Sequence, residues 1–134
     1  MSAAVSGGGT LLGIGVDSIE LVRIRHALGR RGQKFASRIL TEAELAEWER
    51  RGRCVSYLAG RWAGKEAVAK ALGCGIGGSL SWRDVEILPG SAGQPQVSLR
   101  GAALKFFLKQ GVGKILISIT HSRTLATAAA ATTG

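Results

Sequence analysis

The longest regular segment that the sequence predicts is a helix over residues 55–72, and it constrains the fold more than any other feature. Small residues are concentrated in it, among them Ala63, Gly64, Ala67 and Ala69. Such residues allow a second backbone or a ligand to approach the helix closely. Two glycines follow directly and are expected to end it.

Shorter segments surround this helix. Strands are predicted from apolar runs over residues 11–16, 84–88, 96–99, 114–120 and 125–131. The last run is rich in alanine and is also compatible with a helix. Further helices are predicted over residues 19–28, 41–51 and 102–110, the second opened by a capping box between Thr41 and Glu44. This order predicts one α+β domain, residues 11–134, with helices packed on a mixed or antiparallel sheet, and a flexible tail over residues 1–10.

The composition limits the classes of binding partner and the cellular compartment to be expected. The net charge is +9, from 18 Lys plus Arg against 9 Asp plus Glu, so the domain should attract nucleic acid, an anionic membrane, a phosphorylated cofactor or an acidic protein. Cys54 and Cys74 match no zinc or redox spacing and are predicted to be buried free thiols. No stretch is long enough to span a membrane, and no secretory signal is visible, which favours the cytoplasm.

Three features are candidates for chemistry. Asp17 follows an apolar strand and is either a ligand-binding carboxylate or the cap of the next helix. Glu66 and Lys70 are four residues apart and share a helix face; taken alone, a solvated ion pair is the more common explanation. His121 is either a core histidine or a phosphate donor. With only one other histidine, His26, a histidine-rich metal site is excluded.

The glycine-rich stretches are not nucleotide fingerprints. GGGTLLGIG overlaps a strand, GCGIGG follows a helix, and no GxxxxGK[ST] occurs. A nucleic-acid-binding module would need basic side chains interleaved with stacking aromatics, whereas the three tryptophans are scattered among apolar residues.

The combination of motifs is more informative than any one of them. GIGVDSIELVRI, RILTEAEL, YLAGRWAGKEAVAKALGCGI, SWRDVEIL with GQP, and SITHS occur in this order. This pattern resembles the holo-acyl-carrier-protein synthase family, the short bacterial type of 4′-phosphopantetheinyl transferase, over about residues 12–130. The GxD and KEA elements are typical of the superfamily, and RILT and SITH of its short branch.

The resemblance implies a catalytic set. In the family, the aspartate of GxD and the glutamate of KEA hold Mg²⁺ against the pyrophosphate of coenzyme A, which here are Asp17 and Glu66. Mg²⁺ prefers such oxygen ligands. A serine of an acyl carrier protein attacks the β-phosphate and 3′,5′-ADP leaves. Lys70 would contact the phosphates and stabilise or protonate the leaving oxygen. Either Glu66 or a metal-bound hydroxide would accept the serine proton.

The resemblance also implies binding residues and an assembly. Coenzyme A contacts, or support for that wall of the site, are expected from Arg61, Lys65, Lys70, Gly93, Gln94, Pro95, His121 and Ser122. Contacts with the acidic carrier are expected from Arg23, Arg30 and Lys34, although each alone is compatible with a solvated basic face. Gln94 replaces the usual lysine, and Trp62–Ala63–Gly64 replaces Phe–Ala–Ala. The family is homotrimeric, with active sites shared between subunits, and serves fatty acid biosynthesis.

Overall fold

The computed structural model describes residues 9–134, and residues 1–8 of the predicted tail lie outside them. These described residues form five strands and five helices, with a short 3-10 turn at Trp82–Asp84. The strands are β1 (Leu11–Glu20), β2 (Val85–Pro89), β3 (Pro95–Leu99), β4 (Lys114–His121) and β5 (Leu125–Thr133). The helices are α1 (Leu21–Arg31), α2 (Gln33–Ile39), α3 (Glu42–Arg50), α4 (Val55–Ala71) and α5 (Gly101–Lys109).

The strands form two antiparallel sheets. The larger has the order β1-β5-β4, and the smaller is the hairpin β2-β3. The predicted α+β class with antiparallel strands is therefore confirmed, but the strands are divided between two sheets. The alanine-rich C-terminal segment is a strand, because it pairs with β1 on one side and β4 on the other. No helix of residues 9–134 has the length and apolarity needed to cross a membrane.

The long helix α4 packs directly against β1, as its small residues suggest. A side chain at Gly15 would overlap the carbonyl oxygen of Ala67, and one at Gly13 would overlap that of Ala71. Only glycine in the strand, opposite alanine in the helix, allows this approach. The GxG glycines of β1 and the alanines of α4 therefore form one close contact. This contact fixes the position of Asp17 along α4.

The end of the first strand and the start of the first helix were predicted wrongly, and one helix was missed. The first strand continues four residues beyond the predicted end, since Ile19 still pairs with Ala126 of β5 and is buried. Asp17 therefore lies within β1 and not at its end, and α1 starts at Leu21 after Glu20, not at residue 19. Helix α2 was missed because it has only seven residues and depends on the burial of Phe35, Ala36 and Ile39.

Candidate active site

Asp17 and Lys70 meet at the contact between β1 and α4. Because side chains alternate along a strand, Asp17 points to the α4 side, as do Gly15 and Ile19. The Lys70 ammonium group lies 3.1 Å from Asp17 Oδ1 and also donates a hydrogen bond of 2.9 Å to the carbonyl oxygen of Val16. The alternative role of Asp17 as a helix cap is excluded, since the residue before α1 is Glu20.

Glu66 lies one helical turn before Lys70 and belongs to the same cluster. Its pKa is raised above the usual value by burial and by the negative charge of Asp17, while Lys70 acts in the opposite direction. Lys70, one turn further along α4, contacts Asp17, so the three side chains lie in the same part of the molecule. Together the three side chains carry one net negative charge, which favours binding of a cation.

The donor set fits Mg²⁺ better than a transition metal. Within residues 9–134, no group of three or more His, Cys, Asp or Glu side chains is placed to hold a metal ion. Two carboxylates, with phosphate oxygens and water completing the shell, are the usual protein environment of Mg²⁺. Asp17 and Glu66 are the residues of this chain that can hold the ion.

Lys65 and Arg61 lie on the other side of α4 and face the protein interior. The Lys65 side chain is 0% exposed, and its ammonium group binds Glu44 Oε1 at 2.6 Å and the carbonyl oxygens of Ile39 and Trp82 at 2.6 and 3.0 Å.

Arg61 donates to the carbonyl oxygen of Ile87 and stacks on Tyr57, with its guanidinium carbon 4.3 Å from the ring centroid. Burial lowers the pKa of both basic groups. In this chain the charged groups of both side chains therefore contact other protein residues.

The other predicted coenzyme A residues lie in separate clefts. Glu66 opens into a cleft of about 810 Å³ beside Trp62 and Trp82. His121 and Ser122 lie in a second cleft, at the far edge of the β1-β5-β4 sheet. Gln94 and Pro95 border a third groove, beside β4 and α5. Within the part of the chain that the structure describes, one subunit does not bring these three groups into one pocket.

The three predicted carrier-binding residues are all exposed on the first two helices. Arg23 and Arg30 are on α1, and Lys34 is on α2. Arg23 and Arg30 line a groove whose floor includes Phe35 and Trp62. Sequence reasoning named the charges but missed this apolar floor, because α2 itself was missed.

Glu44 has a second role that sequence reasoning missed. Its part in the predicted capping box is confirmed, since it exchanges hydrogen bonds with Thr41. The same carboxylate also binds Lys65 and accepts a hydrogen bond of 2.7 Å from the backbone of Ile87. A capping glutamate is normally exposed, so the only signal in the sequence was a lysine within the apolar, small-residue part of α4.

The aromatic residues do not favour nucleic-acid binding. Trp48 is buried and donates a hydrogen bond to the carbonyl oxygen of Cys54. Trp62 and Trp82 pack on each other, with ring centroids 4.4 Å apart. Stacking on bases would need exposed rings between basic side chains, and these three rings are engaged with the protein itself.

Comparison with known proteins agrees with the fold and the site. The chain belongs to the 4′-phosphopantetheinyl transferase superfamily, whose family model matches residues 13–130. The holo-[acyl-carrier-protein] synthase of Shewanella amazonensis is 45% identical over 121 residues, which cover 90% of this chain and 97% of that protein. The resemblance inferred from the motifs is confirmed.

Solved structures lead to the same family. The holo-[acyl-carrier-protein] synthase of Neisseria meningitidis superposes with a TM-score of 0.86 at 39% identity, covering 92% of this chain and 98% of that one. The Helicobacter pylori synthase in complex with coenzyme A superposes with a TM-score of 0.79 at 30% identity, covering 89% and 98%.

Proposed function

We propose that this protein transfers the 4′-phosphopantetheine group of coenzyme A to a serine of an apo acyl carrier protein and releases 3′,5′-ADP. The observation that carries the proposal is the cluster of Asp17, Glu66 and Lys70 where β1 crosses α4. It is supported by the family membership and by the coenzyme A bound to the Helicobacter pylori relative.

The transfer forms one bond and breaks one bond at the β-phosphorus. The serine oxygen bonds to this phosphorus, and the bridging P–O bond to the α-phosphate breaks, with its electron pair leaving on 3′,5′-ADP. The Glu66 carboxylate is the proposed acceptor of the serine proton. The Lys70 ammonium group, exposed on the same helix face, neutralises or protonates the leaving oxygen.

Asp17 and Glu66 are the proposed ligands of Mg²⁺. The bound ion would neutralise the charge of the pyrophosphate and orient it, which is the main requirement of phosphoryl transfer. Lys70 remains paired with one oxygen of Asp17, which leaves the second oxygen of that carboxylate free for the ion. Arg61 and Lys65 hold the opposite face of α4 in place.

The site is proposed to be completed between subunits of a homotrimer. His121 and Ser122, and the turn Gly93–Gln94–Pro95, are proposed to reach coenzyme A, yet they lie in different clefts of one chain. The outer face of the β1-β5-β4 sheet also exposes a row of large apolar side chains. Leu12, Ile14, Val16 and Leu116 are each between 47% and 69% exposed. Large apolar patches of this kind are typical of protein–protein interfaces.

The assembly can be tested by light scattering. Ile14→Asp, at the centre of the exposed row, should reduce the mass in solution from that of a trimer to that of a monomer. Leu108→Asp is the control, since Leu108 is also an exposed apolar residue but lies on α5, outside the sheet. A wild-type protein with the mass of a monomer would disprove the shared site.

The basic face of α1 and α2 is the proposed docking surface for the acidic carrier. Arg23 and Arg30 project from α1 and Lys34 from α2, above the apolar floor described earlier. Positive potential there would steer an acidic helix into the groove. The cytoplasm is the proposed location, since both cysteines are free thiols, as is usual in reducing compartments.

The experiment that tests the function is a mass measurement. The protein is mixed with apo acyl carrier protein, coenzyme A and Mg²⁺, and the carrier is weighed by mass spectrometry. The added mass of phosphopantetheine on the carrier serine is expected, and it should be absent when EDTA is present. A carrier whose mass is unchanged under all conditions would overturn the proposal.

A further inference from the structure

The buried ammonium group of Lys65 joins three segments that are distant in sequence. Its three acceptors are the carbonyl oxygen of Ile39 at the end of α2, the carboxylate of Glu44 in α3, and the carbonyl oxygen of Trp82 in the 3-10 turn. An ammonium group has three donors, so all of them are used. Lys65 thus ties α2, α3 and the turn to α4.

Glu44 completes this arrangement from the other side. One oxygen accepts from Lys65 and from the backbone of Thr41, and the second accepts from the backbone of Ile87 in β2. The Thr41 hydroxyl in turn donates to Glu86 at 2.6 Å. Within residues 9–134, every buried side-chain nitrogen or oxygen has a hydrogen-bond partner. The buried polar atoms of this network are therefore all bonded to protein partners.

Two of the three clamped segments are walls of the cleft that contains Glu66. Arg38 and Ile39 form one wall, and Ser81 and Trp82 form the other, while Glu66 projects from α4 between them. Lys65 precedes Glu66 in the helix, so the clamp and the carboxylate are adjacent on one rigid backbone. Any displacement of Lys65 from its acceptors changes the width of the cleft at Glu66.

The Trp82 segment is held from several sides, and α4 supplies two of the contacts. It follows residues 73–81, which form no helix or strand and contain four glycines, with φ of +80° at Gly73 and +136° at Gly77. The contacts with α4 are the bond from Lys65 and the packing of the Trp82 ring on Trp62, one turn before Glu66. Away from α4, the backbone of Arg100 donates a hydrogen bond to the carbonyl oxygen of Asp84, and Leu80 is buried.

We propose that Glu44, Lys65 and Trp82 are positioning residues of the transfer reaction, which clamp the cleft wall onto α4 and so fix the reactants against Glu66. This inference rests on the proposed function. A buried ion pair is seldom needed for stability alone, since apolar residues of similar volume often replace one without loss. Its use behind the cleft is explained by the need for a wall that is placed accurately, because small displacements of reacting groups lower rates strongly.

The test is the double variant Glu44→Leu with Lys65→Met, which removes both charges and keeps a filled interior. The folded variant should lose about 10-fold or more in kcat, whereas the KM values for coenzyme A and carrier should change by less than about threefold. The near-ultraviolet circular dichroism of the tryptophans should change as well, because the Trp62–Trp82 contact is released. Leu28→Ala, a packing change in α1 outside the cleft, should lower thermal stability and keep kcat and the tryptophan signal.

A second variant keeps the inference testable if the double variant does not fold. Trp82→Leu removes the ring contact and keeps the bond between Lys65 and the backbone of residue 82, so a smaller loss of kcat with the same spectral change is expected. Wild-type kcat in a folded double variant, or in Trp82→Leu, would overturn the inference. Failure of the proposed function is distinguishable, since the wild-type protein would then show no transfer, while the spectral change would still report the clamp.

Discussion

Two charged clusters meet α4 at the adjacent residues Lys65 and Glu66, yet their surroundings are opposite. The Glu44–Lys65 pair is wholly buried, and its polar atoms are bound to protein partners. In the cluster of Asp17, Glu66 and Lys70, the Lys70 side chain is 53% exposed and one negative charge is in excess. The difference teaches that a neutral, closed network holds structure, whereas an open cluster with unbalanced charge is ready to bind a ligand.

The largest expected effect is on stability, at the buried pair. Glu44→Gln should lower the free energy of unfolding by about 3–5 kcal/mol, because it leaves the Lys65 charge unpaired in the interior. Lys70→Met is the matched change at the open cluster, and it should cost less than about 1 kcal/mol, since exposed ion pairs are screened by water. Urea denaturation measures both. Equal losses in the two variants would remove the distinction between the clusters.

At the open cluster, the effect should instead be on the rate. Glu66→Gln keeps the size of the side chain and removes the charge, so transfer should fall by about 10²–10³-fold. Thermal stability should change little or rise, because the repulsion from Asp17 is relieved. The rate is measured by mass spectrometry of the carrier and the stability by thermal unfolding. Full activity in this variant would show that the cluster is not the active site.

A smaller effect is expected at the basic face, which belongs to neither cluster. Arg23→Glu should raise the KM for the carrier about tenfold at low salt, and the change should shrink as salt is added. Lys109→Glu makes the same change of charge on α5 and is the control. If both variants change the KM equally, net charge explains the effect and the docking surface is wrong.

The smallest expected effect is the pH dependence of metal binding. Burial and Asp17 raise the pKa of Glu66, so the free protein takes up this proton at a higher pH than the unfolded chain does. Through this group, acid stabilises the metal-free fold, and that contribution is lost as the pH rises through the raised pKa. Mg²⁺ needs the ionised form, so the rise in melting temperature that it causes should shrink as the pH falls through the raised pKa of Glu66. Glu66→Gln should show no such trend. A rise that is constant as the pH falls would contradict the assignment.

Much of the fold was predictable from local patterns. The capping box at Thr41, the extent of α4 and most strands follow from spacing and turn residues, and these predictions are confirmed. Helix α2 was not predictable, because a seven-residue helix is stable only through the burial of Phe35 and Ile39 by other elements. The division of the strands into two sheets is likewise a property of tertiary packing.

Only the part of the site that lies within sequence motifs was predictable. Asp17, Glu66 and Lys70 came from two short motifs, and the structure brings them together through the glycines of β1. Lys65 shows what the motifs could not predict. The same motif contains it, but whether a lysine faces phosphate or the interior depends on Glu44, 21 residues away, and on a backbone carbonyl of the 3-10 turn.

The central claim is that Asp17 and Glu66 bind one divalent ion, and Mn²⁺ tests it most directly. Mn²⁺ replaces Mg²⁺ at oxygen sites, and its free aqueous form has a sharp electron paramagnetic resonance signal that is lost on binding. In the presence of coenzyme A, the wild-type protein should bind one ion per chain, and Asp17→Asn and Glu66→Gln should each bind at least about tenfold more weakly. If either variant binds Mn²⁺ as tightly as the wild type does, the two carboxylates do not share an ion.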